Sequence, residues 1–323
     1  MIHGERNAVR LRCPACQTQM PDIDNRAPAQ SECKRCGFVI SEVEGILRAL
    51  TSETKTRIEP FIRDYEVVRA KEGWGSQTAE YYFALPFKDL TSRHNWIWRI
   101  RARTMLYMQK HLLPKLDRPS SDCRVLDIGA GNGWLSYRLS KAGYLPVAVD
   151  LLVSEVDGLG AAKHYFADLP MSFPRFQADM DHLPFDSGQF DVAIFNASFH
   201  YSCNYERTLQ EVLRCLRRPG IVVIADSPFY SRQESGEQML EERRGIFERQ
   251  FGVRSDNIQS REYLTPKILD QLSERLGIQW NVSKPWYGLR WAMRPLRARI
   301  LRRREPSRFY LFWFKVGDKQ HSG

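Results

Sequence analysis

The stretch Val125-Leu-Asp-Ile-Gly-Ala-Gly-Asn-Gly-Trp134 decides the fold. A short apolar run ends at Asp127, and glycines follow at alternate positions, Gly129, Gly131 and Gly133, before a helical pattern begins. Glycine tolerates positive φ and lets the backbone approach a ligand closely. The first amides of a helix are free to bind an anionic ligand. The stretch therefore predicts a strand, a tight turn and a helix that cradle a nucleotide.

The composition is that of a globular protein with an excess of positive charge. The chain has 323 residues, 43% of them hydrophobic, and a formal net charge of +10. This length suits one large domain plus a small one, and the charge favours an anionic partner such as nucleic acid, a membrane surface or a phosphorylated substrate. No run reaches the roughly 18 apolar residues of a membrane span, and the N-terminus lacks the apolar segment of an export signal. We therefore expect a cytoplasmic protein.

Four of the cysteines form two Cys-x-x-Cys pairs, Cys13 with Cys16 and Cys33 with Cys36, separated by residues 17–32. This spacing predicts that four thiolates converge tetrahedrally on Zn²⁺. Four protein ligands leave no open coordination position, so a structural zinc is favoured over a catalytic one. We interpret residues 1–47 as a small zinc ribbon.

Residues 48–120 are predicted to form a helical connector. Thr54 to Arg69 and Trp96 to Leu113 carry apolar residues at helical spacing, and the aromatic stretch Tyr81 to Phe87 lies between them. Two interpretations stay open for these aromatic residues. They could form a lid over the nucleotide site, or they could only pack the helices onto the sheet.

Residues 121–317 alternate short apolar runs with helical patterns. The runs 145–150, 176–179, 190–196 and 219–226 are predicted strands, and a helix is predicted at about 154–164. Alternation of this kind predicts a parallel, doubly wound α/β sheet. The second and third strands each end in an acid, at Asp150 and Asp179.

The glycine spacing distinguishes between classes of nucleotide site. A phosphate-binding loop needs a lysine after its last glycine, and none follows Gly133. The stretch Asp127 to Gly133 resembles motif I of the class I S-adenosylmethionine-dependent methyltransferases. Val147 to Asp150, Gln177 to Phe185 and Phe190 to His200 resemble the later motifs of that family, in the same order. The resemblance implies a Rossmann-like seven-stranded sheet and S-adenosylmethionine as the methyl donor.

The resemblance also implies a set of cofactor contacts. Asp150 can accept hydrogen bonds from both ribose hydroxyls, Asp179 can accept one from the adenine amino group, and Met180 can cover the ring. Asp127 either supports the turn or binds the ammonium of the cofactor. The implied cofactor-binding set is Asp127, Gly129, Gly131, Asn132, Asp150, Leu151, Asp179, Met180 and Asn196.

The candidate catalytic residues follow the fourth predicted strand. The methyl group of the cofactor is already activated, so the protein need only position a nucleophile and, where necessary, remove its proton. Asn196, His200 and Tyr201 would lie at that rim, and His200 is the best candidate base because its ordinary pKa is about 6.5. A structural or cofactor-side role for His200 is the alternative. The tetrad Asn-Pro-Pro-Tyr of N-methylating enzymes is replaced by Asn196 to Phe199, which counts against methylation of an adenine or a glutamine amide.

The segment 284–308 is an arginine-rich insertion before the last predicted strand. Its apolar residues recur at spacings of three and four, as on one helical face; they are Trp286, Leu289, Met293, Leu296 and Ile300. The resemblance places the insertion beside the substrate site. It could contact an anionic substrate, a membrane surface or RNA, or it could be a solvated helix packed on the domain.

We therefore predict an enzyme that methylates a small-molecule or lipid-linked metabolite, with oxygen favoured as the acceptor atom. The alternative is an rRNA or tRNA methyltransferase, because a zinc ribbon ahead of this fold resembles the bacterial guanine-N1 rRNA methylases. A non-catalytic activator that only binds the cofactor is a third class. The enzyme is expected in the cytoplasm, with peripheral attachment to the inner membrane surface as an alternative. The oligomeric state is left open.

Overall fold

The computed structural model describes residues 9–23, 29–254 and 257–317. Within these residues ten strands form one mixed sheet in the order β1-β2-β3-β6-β5-β4-β7-β8-β10-β9. The strands are β1 (Gln30–Glu32), β2 (Val39–Val43), β3 (Ile46–Arg48), β4 (Arg124–Ile128), β5 (Leu145–Asp150), β6 (Arg175–Gln177), β7 (Phe190–Asn196), β8 (Leu216–Ala225), β9 (Asn281–Ser283) and β10 (Leu311–Val316).

Helices cover both faces of this sheet and form the connector. The α-helices are α1 (Ser52–Glu72), α2 (Ala79–Ala84), α3 (Asn95–His111), α4 (Trp134–Lys141), α5 (Tyr205–Cys215), α6 (Gln233–Phe251), α7 (Pro266–Leu276), α8 (Leu289–Ala292) and α9 (Arg294–Ile300). Short 3-10 helices lie at Leu113–Lys115, Ser120–Asp122, Leu159–Asp168 and Phe199–Tyr201. Two core clusters, one on each face of the sheet, contain most of the buried apolar side chains.

The seven strands from β4 onward confirm the predicted doubly wound sheet. Strands β4 to β8 run parallel to their neighbours, and β10 is antiparallel to both β8 and β9. Numbered from β4, their order is 3-2-1-4-5-7-6. Every residue of β7 is buried, as expected of a central parallel strand that is covered on both faces.

The cysteine-bearing segment continues this sheet. Strand β3 pairs in parallel with β6, with Leu47 opposite Phe176. Leu11 forms a bridge to Phe185 and is fully buried in the same core cluster. The sequence predicts a small N-terminal unit but not this shared sheet, because β3 is only three residues long.

The helix predicted at about 154–164 is wrong. The chain stays irregular after Asp150 and forms a 3-10 helix only at Leu159–Asp168. Polar side chains satisfy the backbone amides that a helix would use, since Asp150 accepts from the Leu152 amide and Ser154 accepts from the Val156 amide.

No helix in the described part of the chain is long and apolar enough to cross a membrane. The first eight residues, on which the expectation about an export signal rests, lie outside the described residues. Residues 24–28 of the predicted ribbon also lie outside them.

Candidate active site

The glycine turn after β4 has three residues with positive φ, and the space around them differs. Gly129 (φ +72) lies against the turn after β7, so a Cβ there would be 2.2 Å from Cβ of Ser198. Gly131 (φ +56) has nothing within 4 Å of the equivalent position. Gly133 (φ +77) immediately precedes α4. The turn therefore needs glycine for packing at Gly129, whereas at Gly131 it leaves open space for a ligand.

Asp150 closes the turn from the end of β5. Its Oδ2 accepts a hydrogen bond from the Gly131 amide at 2.7 Å, and its Oδ1 accepts one from the Leu152 amide at 2.8 Å. Each carboxylate oxygen keeps a further acceptor site. Burial raises the pKa of Asp150, and a diol donating to the carboxylate would favour its ionised form.

A cavity of about 850 Å³, including the part that opens to solvent, lies over this turn. It brings together most of the residues predicted from the sequence. Among the predicted residues, those that line it are Gly129, Gly131, Asn132, Asp150, Leu151, Met180, Asn196 and Tyr201.

Helix α1 forms one wall of the cavity that the sequence did not assign to the site. Phe61, Tyr65 and Arg69 line it and are spaced four residues apart, so they share one helical face. The Arg69 guanidinium pairs with Asp157, which also lines the cavity, and stacks 3.7 Å from the ring centre of Trp74. An arginine on an otherwise aromatic helical face is the signal that could have identified this wall.

Helix α3 adds Arg101, which lines the cavity and whose guanidinium lies beside two tryptophan rings. It lies 4.7 Å from the ring centre of Trp98 and 5.5 Å from that of Trp74. In the described segments it forms no ion pair and no side-chain hydrogen bond. Burial lowers the pKa of Arg101, but an arginine stays protonated at neutral pH. The sequence signal was its place among the buried residues Trp98 and Met105.

Asn196 is the last residue of β7, and only one of its two polar side-chain atoms is hydrogen-bonded within the described residues. Its Nδ2 donates to Oδ2 of Asp226 at 3.1 Å, while its buried Oδ1 has no hydrogen-bond partner within the described residues. Asp226 Oδ1 accepts from Thr104 at 2.7 Å, and burial raises the pKa of Asp226. Asn196 therefore lines the cavity with its amide held by Asp226, and its Oδ1 is a buried acceptor without a partner in the described residues.

Tyr201 packs its ring against the wall made by α1. Its ring centre lies 6.0 Å from that of Phe61 and 5.9 Å from that of Tyr65. Burial raises the pKa of the Tyr201 hydroxyl, so the hydroxyl is a neutral donor at physiological pH. This placement suits binding of a ligand better than proton abstraction.

Two of the predicted acids do not line the cavity. Asp127 is 1% exposed, and its Oδ2 accepts a hydrogen bond from Ser136 Oγ at 2.7 Å. Burial raises the pKa of Asp127 to about 7. Asp179 instead accepts from Arg57 at 2.8 Å and from the Asp181 amide at 3.0 Å. Asp127 thus supports the turn from within the core, and the predicted contact of Asp179 with adenine stays a prediction.

His200 also lies outside the cavity lining. It is 7% exposed, and its Nδ1 shares a hydrogen bond of 3.2 Å with Ser227 Oγ. Burial, with smaller contributions from Arg243 and Arg101, lowers its pKa to about 3. A conjugate acid of that pKa belongs to a weak base. The catalytic role of His200 stays a prediction, and its surroundings are those of a neutral, buried imidazole.

The four cysteines of the two pairs converge at the N-terminal end of the sheet. Their Sγ atoms all lie within 4.8 Å of one another, and the pairs Cys13–Cys36 and Cys16–Cys33 are each 3.5 Å apart. Zn–S bonds of about 2.3 Å in a tetrahedron place sulfurs about 3.8 Å apart. The cluster is therefore compatible with a structural zinc ion.

The arginine-rich segment is linked to the cavity residue Asn196 through a chain of hydrogen bonds that begins at Tyr287. Its hydroxyl shares a hydrogen bond of 2.8 Å with Thr104 Oγ1, which donates to Asp226, the partner of Asn196. The predicted position of the segment beside the site therefore agrees with this chain of contacts.

Comparison with known proteins gives a match to a methyltransferase domain family over residues 126–224. An uncharacterized methyltransferase of Bacillus subtilis is 31% identical over 105 residues, which are 32% of this chain and 43% of that protein. A malonyl-[acyl-carrier protein] O-methyltransferase of Geobacter sulfurreducens is 32% identical over 104 residues, which are 32% of this chain and 38% of that protein. The match thus spans less than half the length of these curated relatives.

Among solved structures, a putative sarcosine dimethylglycine methyltransferase from Galdieria sulphuraria is similar to the chain. Its sequence identity is 14% and the TM-score is 0.48, over 67% of this chain and 86% of that one.

Proposed function

We propose that this chain is a class I S-adenosylmethionine-dependent methyltransferase that methylates an oxygen of an acidic small-molecule or lipid-linked metabolite. One observation carries the choice of acceptor. Arg101 lines the cofactor cavity and forms no ion pair within the described residues, although the nearby carboxylate of Asp226 favours its charge. A partly buried guanidinium without a direct ion pair can still bind a ligand of opposite charge. The acceptor we infer is therefore an anion.

The residues over the glycine turn would hold the cofactor. Asp150 would accept from the ribose hydroxyls, Met180 would cover the adenine, and the free Oδ1 of Asn196 would accept from the ammonium. The open space at Gly131 lets the backbone approach the methionyl chain. When bound, S-adenosylmethionine supplies a methyl group on a positively charged sulfur.

An acidic acceptor suits the absence of a strong base in the cavity lining. A carboxylate is ionised at neutral pH, so one of its oxygens can form the new bond to the methyl carbon as the carbon–sulfur bond breaks and its electrons stay on sulfur. No proton has to be removed. Arg101 would orient the acceptor by a charge-assisted hydrogen bond, and the rings of Phe61 and Tyr65 would exclude water.

One further observation supports this proposal over an RNA substrate. One curated relative carries the name malonyl-[acyl-carrier protein] O-methyltransferase, an enzyme for a carrier-linked acid. Methylation of rRNA or tRNA is the competing outcome of the experiment below.

We also propose that the cysteine cluster of Cys13, Cys16, Cys33 and Cys36 binds a structural zinc ion. The spacing of the sulfurs supports this, and four thiolates would leave no position for a substrate. The ion would stabilise a segment whose strand β3 extends the main sheet.

Labelled cofactor can test the function in one experiment. The purified protein is incubated with methyl-labelled S-adenosylmethionine and an extract from which either RNA or organic-soluble material has been removed. We expect label in the organic-soluble fraction, released as methanol by mild alkali because methyl esters hydrolyse readily. Label in rRNA or tRNA would instead establish the RNA alternative, and absence of cofactor binding by calorimetry would overturn both.

The variant Arg101→Gln separates acceptor binding from cofactor binding. We expect label transfer at limiting extract to fall about tenfold to a hundredfold, which corresponds to roughly 1.5–3 kcal/mol for a hydrogen bond to a charged group. The affinity for S-adenosylmethionine should change less than twofold. Arg99→Gln, on the exposed side of the same helix, is the matched control. Weaker cofactor binding with unchanged acceptor use would assign Arg101 to the cofactor carboxylate.

A further inference from the structure

Helices α8 and α9 present an apolar surface outward. Three of its side chains, Trp286, Leu289 and Ile300, are 66%, 70% and 72% exposed. With Met293, Leu296 and Leu301, which are 46–50% exposed, they form what we call the arginine-flanked face. Exposed apolar residues gathered on one element commonly mark an interaction surface.

The inner side of the same segment packs against the rest of the domain. The exposed side chains therefore belong to an element that is held in place. Trp291 stacks on Phe309 with ring centres 5.3 Å apart, and Arg294 lies 3.9 Å from the centre of the Trp291 ring. Tyr287 is buried and is hydrogen-bonded to Thr104. The orientation of the arginine-flanked face is therefore fixed by contacts with the rest of the domain.

Most arginines of the segment fall into two groups, those that form ion pairs and those that are exposed. Arg304 and Arg308 form ion pairs with Glu242 and Glu305. Five other arginines are exposed and form no ion pair within the described residues; they are Arg290, Arg297, Arg299, Arg302 and Arg303. Glu305 is the sole acid in the sequence from 284 to 308. The exposed surface of the segment thus combines apolar and positively charged side chains.

We propose that the arginine-flanked face binds the surface of a bilayer that contains anionic lipids. A helix in the plane of a membrane buries its apolar side chains at the boundary of headgroups and acyl chains, while arginines extend to lipid phosphates. Trp96, 55% exposed and stacked on Trp291 with ring centres 6.5 Å apart, adds an aromatic side chain of the type favoured at that depth.

The apolar part of the face decides between a bilayer and RNA. Single-stranded RNA is held by basic grooves with aromatic rings on which its bases stack. Leu289, Leu296 and Ile300 offer no such ring, and they gain free energy only by leaving water. A bilayer accommodates both the aliphatic side chains and the arginines. Through Tyr287, Thr104 and Asp226 the face is also connected to Asn196, so attachment there would hold the cavity near the membrane.

Vesicle sedimentation of the full-length protein tests this proposal without any knowledge of the methyl acceptor. At 0.1 M NaCl we expect binding to phosphatidylcholine vesicles with 30% phosphatidylglycerol, and at least tenfold weaker binding to pure phosphatidylcholine. Failure of the wild-type protein to bind the anionic vesicles would overturn the proposal, whatever the enzyme methylates.

Two variant proteins separate the charged and apolar contributions. Arg290→Gln, Arg297→Gln and Arg303→Gln together should weaken vesicle binding at least tenfold. Leu289→Ser, Leu296→Ser and Ile300→Ser together should weaken it at least fivefold, with an unchanged thermal midpoint in both cases because all six side chains are exposed.

Matched controls remove similar groups elsewhere on the surface. Lys88→Gln, Lys110→Gln and Lys267→Gln together remove three exposed charges, and Ile246→Ser removes an apolar side chain that is 42% exposed. Both should bind vesicles within twofold of the wild type. An equal loss of vesicle binding in the lysine variant would show that net charge alone explains the effect, and it would overturn the proposal. The proposal would also be overturned if the serine variant kept full vesicle binding, including the case in which the serine substitutions only dissociate a dimer.

Discussion

Arg69 and Asp157 are joined by two hydrogen bonds across the cavity wall. Nε of Arg69 lies 2.5 Å from Oδ2 of Asp157, and Nη2 lies 3.0 Å from Oδ1. The two side chains are 17% and 15% exposed. Arg69 belongs to the connector helix α1, whereas Asp157 follows β5, so this pair attaches the wall of the cavity to its floor.

The variant Asp157→Asn should destabilise the protein more than a change at both positions. Removing the carboxylate leaves a buried guanidinium without a counter-charge, which costs about 3 kcal/mol or more of the free energy of unfolding. The double variant Arg69→Met, Asp157→Asn removes both charges and should lose less than Asp157→Asn alone. Urea denaturation of the wild type, of Arg69→Met and Asp157→Asn alone, and of the double variant measures this. Strictly additive losses would show that the two residues do not interact.

Substitutions of the turn glycines should separate folding from cofactor binding. Gly131→Ala carries the cost of a positive φ, about 1 kcal/mol, and places a methyl group in the open space over the turn. We expect S-adenosylmethionine affinity to fall at least tenfold by calorimetry. Gly252→Ala is the matched control, because Gly252 has φ +75 and nothing within 4 Å of the added Cβ. It should lose similar stability and keep full affinity.

Gly129→Ala should fail for a different reason. Its Cβ would lie 2.2 Å from Cβ of Ser198, and the Ser198 hydroxyl is fixed by a hydrogen bond to the Ile128 carbonyl. The turn after β7 would have to move, so we expect a larger loss in the free energy of unfolding than for Gly131→Ala. Comparable urea midpoints for the two variants would contradict this reading of the turn.

The glycine turn of the site could be predicted from the sequence because its residues lie close together along the chain. The glycines and the start of α4 lie in one stretch, and the observed bounds of β7 are those that the apolar run 190–196 predicts. For the cover of the site the sequence offered the connector, residues 48–120, only as a possible lid. It could not identify Phe61, Tyr65 and Arg101, because these residues reach the cavity only through tertiary packing. Burial explains the other difference: spacing placed Asp127 and His200 near the site but could not show that the core encloses them.

His200 should affect stability in acid. Its pKa in the folded protein, about 3, lies below its ordinary value, so the unfolded chain binds the proton more readily between about pH 3 and 6.5. The contribution of His200 to the free energy of unfolding is therefore complete above pH 6.5. It is lost as the pH falls below that value, by about 1.4 kcal/mol per pH unit. His200→Gln should flatten this part of the stability profile in urea titrations at several pH values. His111→Gln, at an exposed position, should leave the profile unchanged.

The same variant tests the catalytic role of His200. A general base contributes about a hundredfold to ten-thousandfold to the rate, whereas a buried neutral imidazole that bonds to Ser227 contributes through packing. We expect His200→Gln to retain methyl transfer within tenfold of the wild type, measured with labelled cofactor. A loss of two orders of magnitude with unchanged cofactor affinity and an unchanged urea midpoint would restore His200 as the base.

Removal of the metal should weaken cofactor binding, although no cysteine of the cluster lines the cofactor cavity. Strand β3 follows the cysteines and pairs with β6, and the chain after β6 supplies Met180 to the cavity. We expect about one zinc per purified chain, a thermal midpoint lowered by roughly 5 °C or more after chelation, and cofactor affinity weakened several-fold. Cys33→Ser should reproduce these effects, whereas Cys203→Ser, outside the cluster and exposed, should not. An unchanged midpoint after complete removal of zinc would show that the sheet itself, rather than the ion, holds this segment in place.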